Sequence, residues 1–375
     1  MKTALAHDWL TVRAGSEIQI EALGELFPQA PIHTLVHDKE QYRGPLNAHT
    51  IVPSFINRLP FAKTKYKHFL PLFPMAVEQF DFTEFDLVLS SCHAAVKGLL
   101  TSVDQLHMCY CYTPTRYIWD LYQPYLRSAG LDKGAKSALA RYILHRYRLW
   151  DITASNRVDG FVAISHYIAR RIAKTYRRPA HVIYPGVDVE RFTPNDKRDD
   201  FYLAVSRLVP YKGMDLIAKA CTQLDRPLVI IGDGPQRDIV EQSAGPNVKL
   251  LGYQPDSVVE NYMQRCKAFI FAADEDFGMV PVEAQATGAP VIAFGKGGAL
   301  ETVARGKTGI FFKEQTAASL CLAIKQFESQ AEQFHFDTIV KHASQFSIAR
   351  FKREMMQLID QSWSRFNKGE SVEPH

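Results

Sequence analysis

The sequence predicts an α/β protein with two doubly wound domains, each built on a parallel sheet. Short apolar runs that end at Gly, Ser or Asp alternate with amphipathic helical patterns along nearly the whole chain, which is typical of βαβ units. At 375 residues the chain is too long for one ordinary core and long enough for two. The alternation restarts near residue 200, so we expect the second domain to begin there.

The predicted strands are short and apolar, and they lie at 3–7, 32–35, 86–90, 106–111, 160–164, 181–184, 202–206, 228–231, 268–271, 291–294 and 310–312. Amphipathic helices are predicted between them, for example at 16–27, 135–157, 166–176, 213–224, 257–266, 280–287 and 316–328. One doubly wound sheet rarely accommodates eleven strands, so we divide them between two sheets with right-handed crossovers.

The predicted seam between the domains runs from Tyr184 to Asp200 and contains two prolines, a glycine and a charged cluster. We therefore predict an N-terminal Rossmann-like domain at 1–190 and a C-terminal Rossmann-like domain at 191–345. A C-terminal segment at 346–375 follows, with an amphipathic helix at 346–366. Residues 368–375 show no pattern of burial, and we expect them to fray.

The charge balance disfavours a nucleic-acid partner, because 44 basic residues face 40 acidic ones. The excess is uneven: residues 1–185 hold 22 Lys and Arg against 15 Asp and Glu, whereas the rest hold 22 against 25. A basic N-terminal half indicates an anionic partner, such as a lipid-linked phosphate or a phospholipid surface. Ordinary solvated charge is the alternative.

Localisation is predicted from three features of the sequence. No stretch reaches the roughly 18–20 apolar residues of a membrane span. The N-terminus, charged from Lys2 onward, is interpreted as a buried strand and not as a signal peptide. The six cysteines include no CxxC pair, which favours reduced thiols. We therefore expect a cytoplasmic protein.

Two cations lie in the loop after the predicted strand 202–206. Arg207 and Lys212 lie in this loop, and a helix begins near Gly213. Doubly wound sheets bind ligands at the carboxyl ends of their strands. Two cations beside the amides of a helix N-terminus suit a diphosphate. Solvated surface charge is the alternative.

Two glutamates follow the predicted strand 268–271. Glu275 lies in the loop, and Glu283 lies in the first turns of a helix that has Pro281 near its start. Glu283 can accept hydrogen bonds from a ribose, and Glu275 can accept them from a second sugar. The loop amides of 277–280 can donate to that sugar or to its phosphate. A helix-capping carboxylate is the alternative for Glu283 alone.

The segment from Glu275 to Ala293 resembles the signature of the retaining family-four glycosyltransferases of the GT-B fold, in which two Rossmann-like domains face a cleft. The Arg207–Lys212 element is similar to that family's diphosphate clamp. Further matches are Gly232-Asp233-Gly234-Pro235, Leu251-Gly252-Tyr253, Gly297-Gly298-Ala299-Leu300-Glu301, and, more loosely, Ala14-Gly15-Ser16-Glu17, His93 and Tyr184-Pro185-Gly186-Val187-Asp188. The family often has two glycines where this chain has Ala14-Gly15, which leaves open how closely the first loop approaches the phosphates.

The resemblance implies a catalytic set of His93, Arg207, Lys212 and Glu275. Arg207 and Lys212 should stabilise the leaving diphosphate without a metal or another cofactor, and His93 should lie against the transferred sugar. A helix-capping role is the alternative for His93. The resemblance also implies a donor site in which Glu283 binds the ribose and Tyr253 lies beside the base. Its other members are Gly15, Gly232, Glu275, Phe277, Gly278, Met279 and Val280.

The acceptor prediction rests on the segment from Cys111 to Asp120, which resembles a motif of bacterial mannosyltransferases that use GDP-mannose in O-antigen (lipopolysaccharide) or exopolysaccharide assembly. Arg116, Tyr117 and Trp119 can bind a sugar or pyrophosphate acceptor through stacking and charge. Aromatic packing under a loop is the alternative. We expect a GDP-mannose donor and a polyprenyl-diphosphate-linked or oligosaccharide acceptor. Because the sequence does not discriminate guanine from uracil, a UDP-sugar enzyme stays open.

A peripheral membrane contact is predicted from residues 58–75, where lysines interleave with aromatics and prolines prevent one long helix. Such a surface can rest on the anionic inner face of the plasma membrane. Burial of its Phe and Leu side chains in the core is the alternative. The resemblance further implies that the C-terminal helix crosses back onto the N-terminal domain, with hinge closure on donor binding.

Three other classes of protein are alternatives to a glycosyltransferase. An epimerase or a pyridoxal-dependent phosphorylase could share the fold. A non-catalytic partner subunit would usually lose a clamp or signature residue, whereas Arg207, Lys212, Glu275 and Glu283 are all present. A dinucleotide-binding oxidoreductase is disfavoured, because no GxGxxG follows the first strand.

Overall fold

A computed structural model describes residues 1–374, which divide into two compact units. The N-terminal unit consists of residues 1–184 together with 352–374, and the C-terminal unit consists of residues 185–351. The N-terminal unit is therefore assembled from two separate stretches of chain, whereas the C-terminal unit is continuous.

The N-terminal unit contains a seven-stranded sheet in which every neighbouring pair is parallel. Its strands are β1 (Thr3–Leu10), β2 (Ile32–His37), β3 (Ile51–Pro53), β4 (Leu87–Cys92), β5 (Leu106–Cys111), β6 (Gly160–Ala163) and β7 (His181–Val182), in the order β3-β2-β1-β4-β5-β6-β7. Its helices are α1 (Gly15–Leu26), α2 (Ala62–Lys65), α3 (Phe73–Glu78), α4 (Tyr122–Ser128), α5 (Gly134–Ser155) and α6 (His166–Tyr176). Every residue of β4 and β5 is buried, as expected for parallel strands covered on both faces.

The C-terminal unit contains a six-stranded sheet, again parallel throughout. Its strands are β8 (Tyr202–Val205), β9 (Leu228–Ile231), β10 (Val248–Leu250), β11 (Ala268–Phe271), β12 (Val291–Phe294) and β13 (Gly309–Phe312), in the order β10-β9-β8-β11-β12-β13. The helices are α7 (Met214–Leu224), α8 (Arg237–Ser243), α9 (Asp256–Arg265), α10 (Met279–Ala286), α11 (Ala299–Thr302), α12 (Ala317–Ser329) and α13 (Phe336–Ser344). A last helix, α14 (Ile348–Phe366), begins in this unit and ends in the N-terminal unit.

In both sheets, the side on which successive strands are added changes next to the first strand. Each chain segment starts in the middle of its sheet, adds two strands on one side, and then returns to add the rest on the other side. The reversal lies between β1 and β4 in one unit and between β8 and β11 in the other. Ligands of such sheets bind outside the carboxyl ends of the strands at this point. The loops after these four strands are therefore the places where binding residues are expected.

The prediction of two doubly wound parallel sheets is confirmed, and all eleven predicted strands form. Two strands were missed, β3 and β10. Each has three residues, lies at the edge of its sheet and is incompletely buried, so it leaves no continuous apolar run in the sequence. The first and fourth strands extend further than predicted, to Leu10 and Cys92, so Asp8 and Trp9 belong to a strand and not to a loop.

The expectation that the chain frays after residue 368 is wrong for Val372 and Glu373. The side chain of Val372 is buried, and its carbonyl lies 3.0 Å from Nε2 of His181. The carboxylate of Glu373 pairs with the guanidinium of Arg178. The end of the described chain is thus packed against the N-terminal unit.

Candidate functional site

The loop after β8 brings its two cations to the end of the neighbouring strand β11. A 3-10 turn at Pro210–Lys212 leads into Gly213, whose φ of +63° is a left-handed conformation that favours glycine. A Cβ atom on Gly213 would lie 3.1 Å from Cβ of Ala272, the residue that follows β11. Because Gly213 lies this close to Ala272, the preceding residue, Lys212, lies against the loop after β11.

Lys212 and Glu275 form an ion pair through Nζ and Oε1, and both side chains are partly buried. Burial, followed by the positive charge of Arg207, lowers the pKa of Lys212 to about 8. Contact with the Glu275 carboxylate acts in the opposite direction and favours the charged ammonium. Three of the four predicted catalytic residues, Arg207, Lys212 and Glu275, are therefore neighbours in one unit.

The backbone of 275–277 is held by the two glycines that precede α11. The amide of Gly298 donates to the carbonyl of Glu275 over 2.8 Å. A Cβ atom on Gly298 would lie 2.2 Å from Cα of Phe277, and one on Gly297 would lie 2.3 Å from the carbonyl oxygen of Glu275. Lys296 adds an ion pair of 2.9 Å with Asp274. Only glycine permits this approach, so the loop after β12 fixes the course of the loop after β11.

The predicted amide donors lie at the start of α10. Gly278 has a φ of +88° and is the N-cap, and Met279 and Val280 are the first two helical residues. Amides at these positions have no partner within a helix, so they are suited to an anionic or hydroxyl ligand. Phe277 is buried, and its ring centroid lies 5.8 Å from that of Phe346. Its amide is thus attached to a residue anchored in the core of the C-terminal unit.

Glu283 lies one turn further along α10, and its Oε1 is 3.6 Å from Nη2 of Arg191. Burial raises the pKa of Glu283, and the charge of Arg191 partly opposes that rise. The carboxylate is the fifth residue of the helix, beyond the reach of an N-cap, so the capping alternative does not describe it. Arg191 was not among the predicted site residues, because nothing in its local sequence indicates a partner ninety-two positions away.

Gly232 fixes the loop after β9 against the loop that carries Arg207. A Cβ atom on Gly232, whose φ is +134°, would lie 1.9 Å from the carbonyl oxygen of Ser206. The amide of Leu208 donates to the carbonyl of Asp233 over 2.9 Å. Tyr253, in contrast, is 79% exposed after Gly252 at the end of the neighbouring loop. Gly232 therefore supports the position of Arg207, whereas the Tyr253 ring projects into solvent.

In the N-terminal unit, His93 immediately follows β4, at the point where the sheet reverses. The buried carboxylate of Asp8 accepts four hydrogen bonds from the backbone amides of residues 93–96, over 2.6–3.0 Å. Its Oδ2 also lies 3.4 Å from Nδ1 of His93. Burial opposes the charged form of Asp8, but the charge of His93 and the amide donors together lower its pKa. Burial lowers the pKa of His93, which favours a neutral imidazole.

Asp8 is therefore a functional candidate that the sequence prediction left out of the site. Its only local signal is an acidic residue inside a mostly apolar strand, since its partners lie about eighty-five positions away. His93 also packs edge-on against Trp9, with ring centroids 4.3 Å apart. Both contacts hold the imidazole at the carboxyl edge of the sheet.

A second buried pair lies beside this one. Nε2 of His7 is 3.5 Å from Glu17, and Nδ1 of His7 is 3.0 Å from the hydroxyl of Ser91. Glu17 also accepts from the amide of Ala14 over 3.1 Å, which caps α1. Gly15, the first residue of α1, is thus placed next to the carboxyl end of β1. The structure brings Gly15 and His93 to the same edge of the N-terminal sheet.

The three predicted acceptor residues have different surroundings. The indole N–H of Trp119 donates to the buried carboxylate of Asp151 over 2.8 Å, which fits the packing alternative. Asp151 also forms a buried ion pair of 2.5 Å with Lys97 and accepts from the hydroxyl of Tyr176. The rings of Tyr117 and Tyr125 lie 5.7 Å apart.

Arg116 is partly exposed, and its Nε lies 3.8 Å from Asp120. Asp120 is also 3.3 Å from Nη2 of Arg171, so one carboxylate faces two guanidinium groups. Guanidinium groups bind phosphates as well as carboxylates, so the loop contains the type of side chain expected of an anionic acceptor site.

Residues 1–374 contain no group of three or more His, Cys, Asp or Glu side chains arranged to hold a metal ion. Within the same range, no helix is long and apolar enough to cross a bilayer.

Comparisons with protein families match both parts of the chain to glycosyltransferases. Residues 14–191 match the family described as Glycosyltransferase Family 4, and residues 188–336 match the one described as Glycosyl transferases group 1. An uncharacterized glycosyltransferase of Methanocaldococcus jannaschii is 31% identical over 172 residues, which cover 44% of this chain and 49% of the relative. A GDP-mannose-dependent alpha-(1-6)-phosphatidylinositol monomannoside mannosyltransferase of Mycolicibacterium smegmatis is 30% identical, over 41% of this chain and 49% of the relative. The chain thus spans about half the length of these curated relatives.

Among solved structures, HepE of Anabaena in complex with UDP superposes with a TM-score of 0.72 at 18% identity, covering 96% of this chain and all of HepE. The two parallel-sheet units and this likeness establish the GT-B fold. Together with the family matches, they support a glycosyltransferase.

Proposed function

We propose that this protein is a retaining glycosyltransferase that takes a hexose from a nucleotide sugar bound in its C-terminal unit. The observation that carries the proposal is the convergence of Arg207, Lys212 and Glu275 at the point where the C-terminal sheet reverses. This position is where doubly wound sheets bind their ligands, and the cations have the charge that a diphosphate requires.

The proposed reaction breaks the bond between the anomeric carbon of the sugar and the terminal phosphate oxygen. The electron pair leaves with the phosphate, and Arg207 and Lys212 stabilise the negative charge that develops there. Glu275 and the amides of 277–280 hold the sugar hydroxyls. The acceptor hydroxyl attacks from the face that the phosphate leaves and gives its proton to the leaving phosphate, so the anomeric configuration is retained. No metal is needed if the two side-chain cations neutralise the diphosphate.

GDP-mannose is the donor that we propose. Two of the relatives are, by name, GDP-mannose-dependent mannosyltransferases that act on lipid-anchored inositol mannosides, from Mycolicibacterium smegmatis and Corynebacterium glutamicum. The segment from Cys111 to Asp120 points the same way by resemblance. We further propose a lipid-linked or oligosaccharide acceptor of cell-surface polysaccharide synthesis, bound beside His93 and Arg116. Both residues lie after strands at the carboxyl edge of the N-terminal sheet.

A UDP-sugar donor is the second candidate, because HepE has been crystallised with UDP and with UDP-glucose. The reaction and the roles of Arg207 and Lys212 would be the same. Tyr253 and its surroundings would then accommodate uracil in place of guanine.

Isothermal titration calorimetry tests the proposal directly. GDP, UDP, ADP and their mannose, glucose and N-acetylglucosamine conjugates are titrated with and without Mg²⁺. The titrations are repeated on Arg207→Ala and on the control Arg226→Ala, which changes an arginine that precedes β9 at the opposite edge of the sheet. Binding of GDP-mannose that is metal-independent and weakened only by Arg207→Ala supports the proposal. Preference for UDP would contradict the assignment of GDP-mannose as the donor. Absence of nucleotide binding would contradict the assignment as an enzyme and favour a non-catalytic subunit.

A further inference from the structure

The longest helix of the N-terminal unit, α5, presents apolar side chains to solvent. Leu139 is 61% exposed, Tyr142 62%, Leu149 50% and Ile152 36%. Their spacing of three, seven and three residues places them along one side of the helix. We name this side, with His145 and Arg146 included, the α5 outer face.

The opposite side of α5 already supplies the contacts that hold the helix in place. Leu144, Tyr147 and Ala154 are buried, and Asp151 is paired with Lys97 in the interior. The indole N–H of Trp150 donates to Glu78 on α3 over 2.8 Å. The α5 outer face therefore contributes little to the fold, and its apolar residues need another explanation.

The charge of the α5 outer face has one sign. The helix contains Lys136, Arg141, Arg146 and Arg148 but a single acidic residue, Asp151, which is fully buried. His145 and Arg146 are exposed among the apolar side chains. An exposed helix face that is apolar and cationic, without carboxylates, matches an anionic lipid surface.

We propose that the α5 outer face docks on the anionic surface of a lipid bilayer, with the helix lying in the plane of the membrane. Leucine, tyrosine and isoleucine side chains enter the boundary of the acyl region, and Arg146 pairs with a lipid phosphate. A second copy of this chain is a poorer occupant, because a symmetric dimer through this face would bring like charges together. The proposal goes beyond glycosyl transfer and holds for any donor.

This surface differs from the one predicted at residues 58–75. There, Lys63, Lys65 and Lys67 are exposed beside Phe61, but Leu70 and Phe73 are buried and Tyr66 packs on Trp9. Much of the apolar surface in that segment is therefore already used within the unit. The α5 outer face retains its apolar surface for a membrane.

Co-sedimentation of the full chain with vesicles tests the proposal. Vesicles of phosphatidylcholine with phosphatidylglycerol are compared with pure phosphatidylcholine, at low and high salt. We expect Leu139→Ser with Leu149→Ser to weaken binding at least about tenfold, since two apolar anchors are lost. Arg146→Ser should weaken it about fivefold at low salt and little at high salt.

Matched controls come from the C-terminal unit. Leu322→Ser changes a leucine that is 70% exposed on α12, and Lys249→Ser removes an exposed cation on β10. Neither should alter binding. Hydrogen exchange of the backbone amides of residues 136–152 should be slower with vesicles than without them. This measurement uses the wild-type protein and needs no variant.

Four outcomes would overturn the proposal. Wild-type protein could fail to bind the anionic vesicles. The proteins with the α5 changes could bind these vesicles as tightly as the wild type does. Binding could instead be abolished by Lys63→Ser, Lys65→Ser and Lys67→Ser together, which would assign the contact to 58–75. The chain could also form dimers that Leu139→Ser with Leu149→Ser dissociates, which would make the face a protein interface. None of these measurements uses a nucleotide sugar, so their failure is distinct from failure of the proposed reaction.

Discussion

Lys212 contacts the carboxylate of Glu275, although the two residues belong to loops that follow different strands, β8 and β11. Under the proposed function, the cation of this pair binds phosphate and its carboxylate binds sugar hydroxyls. A nucleotide sugar would supply both partners at once: its diphosphate competes for Lys212, and its hydroxyls replace the ammonium at Glu275. The ion pair thus keeps the two side chains in place while the site contains no donor.

Replacing Lys212 with Ala should weaken binding of a nucleoside diphosphate and reduce the rate of sugar transfer by about a hundredfold or more. The reason is that the variant loses the ammonium group that stabilises the negative charge developing on the leaving phosphate. Steady-state kinetics and calorimetry measure the two effects. Lys219→Ala, on the exposed side of α7, is the control for the loss of a lysine. Unchanged transfer in Lys212→Ala would remove this residue from the proposed clamp.

Replacing Glu275 with Gln should separate sugar binding from nucleotide binding. The amide keeps the size of the side chain but loses its charge, so the sugar hydroxyls lose a charge-assisted acceptor. We expect kcat to fall about tenfold to a hundredfold, while the dissociation constant of the free nucleoside diphosphate changes by less than about threefold. Glu332→Gln, exposed beyond α12, should change neither quantity. An equal loss of nucleotide and sugar-nucleotide binding would contradict the assignment.

Replacing Gly298 with Ala should damage the site through the backbone. The added Cβ would meet Cα of Phe277 at 2.2 Å, so the 275–277 loop must move. We expect a loss of about 1–3 kcal/mol in the free energy of unfolding, together with weaker donor binding. Gly306→Ala is the contrast, because its Cβ meets nothing within 4 Å. Its positive φ should cost about 1 kcal/mol without an effect on the donor. Equal donor affinity in both variants would show that the glycine contact does not position the loop.

Replacing Asp8 with Asn should destabilise the N-terminal unit in a pH-dependent way. The amide has one acceptor oxygen for four backbone donors, so we expect a loss of about 2–4 kcal/mol at neutral pH. The folded-state pKa of Asp8 lies below the ordinary value of 3.8. Its contribution is therefore fully present above that value and is lost as the pH falls through the lower folded-state pKa. Urea unfolding of both proteins across this range should show the difference narrowing in acid; a difference independent of pH would contradict a role for the charge.

Trp119 and Arg116 should respond in opposite ways. Trp119→Phe removes the donor to Asp151, and we expect it to lower the free energy of unfolding by about 1–2 kcal/mol. Arg116→Ala should change the free energy of unfolding by less than about 0.5 kcal/mol, because the guanidinium is partly exposed. The same change should weaken binding of the acceptor. Thermal melts and the Michaelis constant for the acceptor separate the two roles. If Trp119→Phe were as stable as the wild type but had a higher Michaelis constant for the acceptor, Trp119 would belong to the acceptor site.

Much of the fold could be predicted because parallel strands buried on both faces leave continuous apolar runs. The same topology explains why Arg207, Lys212 and Glu275 could be grouped in advance: residues after adjacent parallel strands must share an edge of the sheet. Edge strands such as β10 carry no such run and were missed.

Residues whose partners are distant in sequence could not be predicted in this way. Asp8 serves amides near position 94, Asp151 pairs with Lys97, and Val372 is buried against Gly160. Each depends on which helices or loops happen to cover a strand, and no local pattern records that. Trp119 was assigned to the acceptor for the same reason, because its hydrogen bond to Asp151 spans thirty-two positions.

The N-terminal unit takes its last segment, 352–374, from the far end of the chain. During synthesis, this segment is translated after every residue of the continuous C-terminal unit. The first two hundred residues emerge from the ribosome long before Val372 arrives to cover Gly160. The unit that begins to emerge first therefore cannot complete its core until its second stretch, 352–374, has also been made.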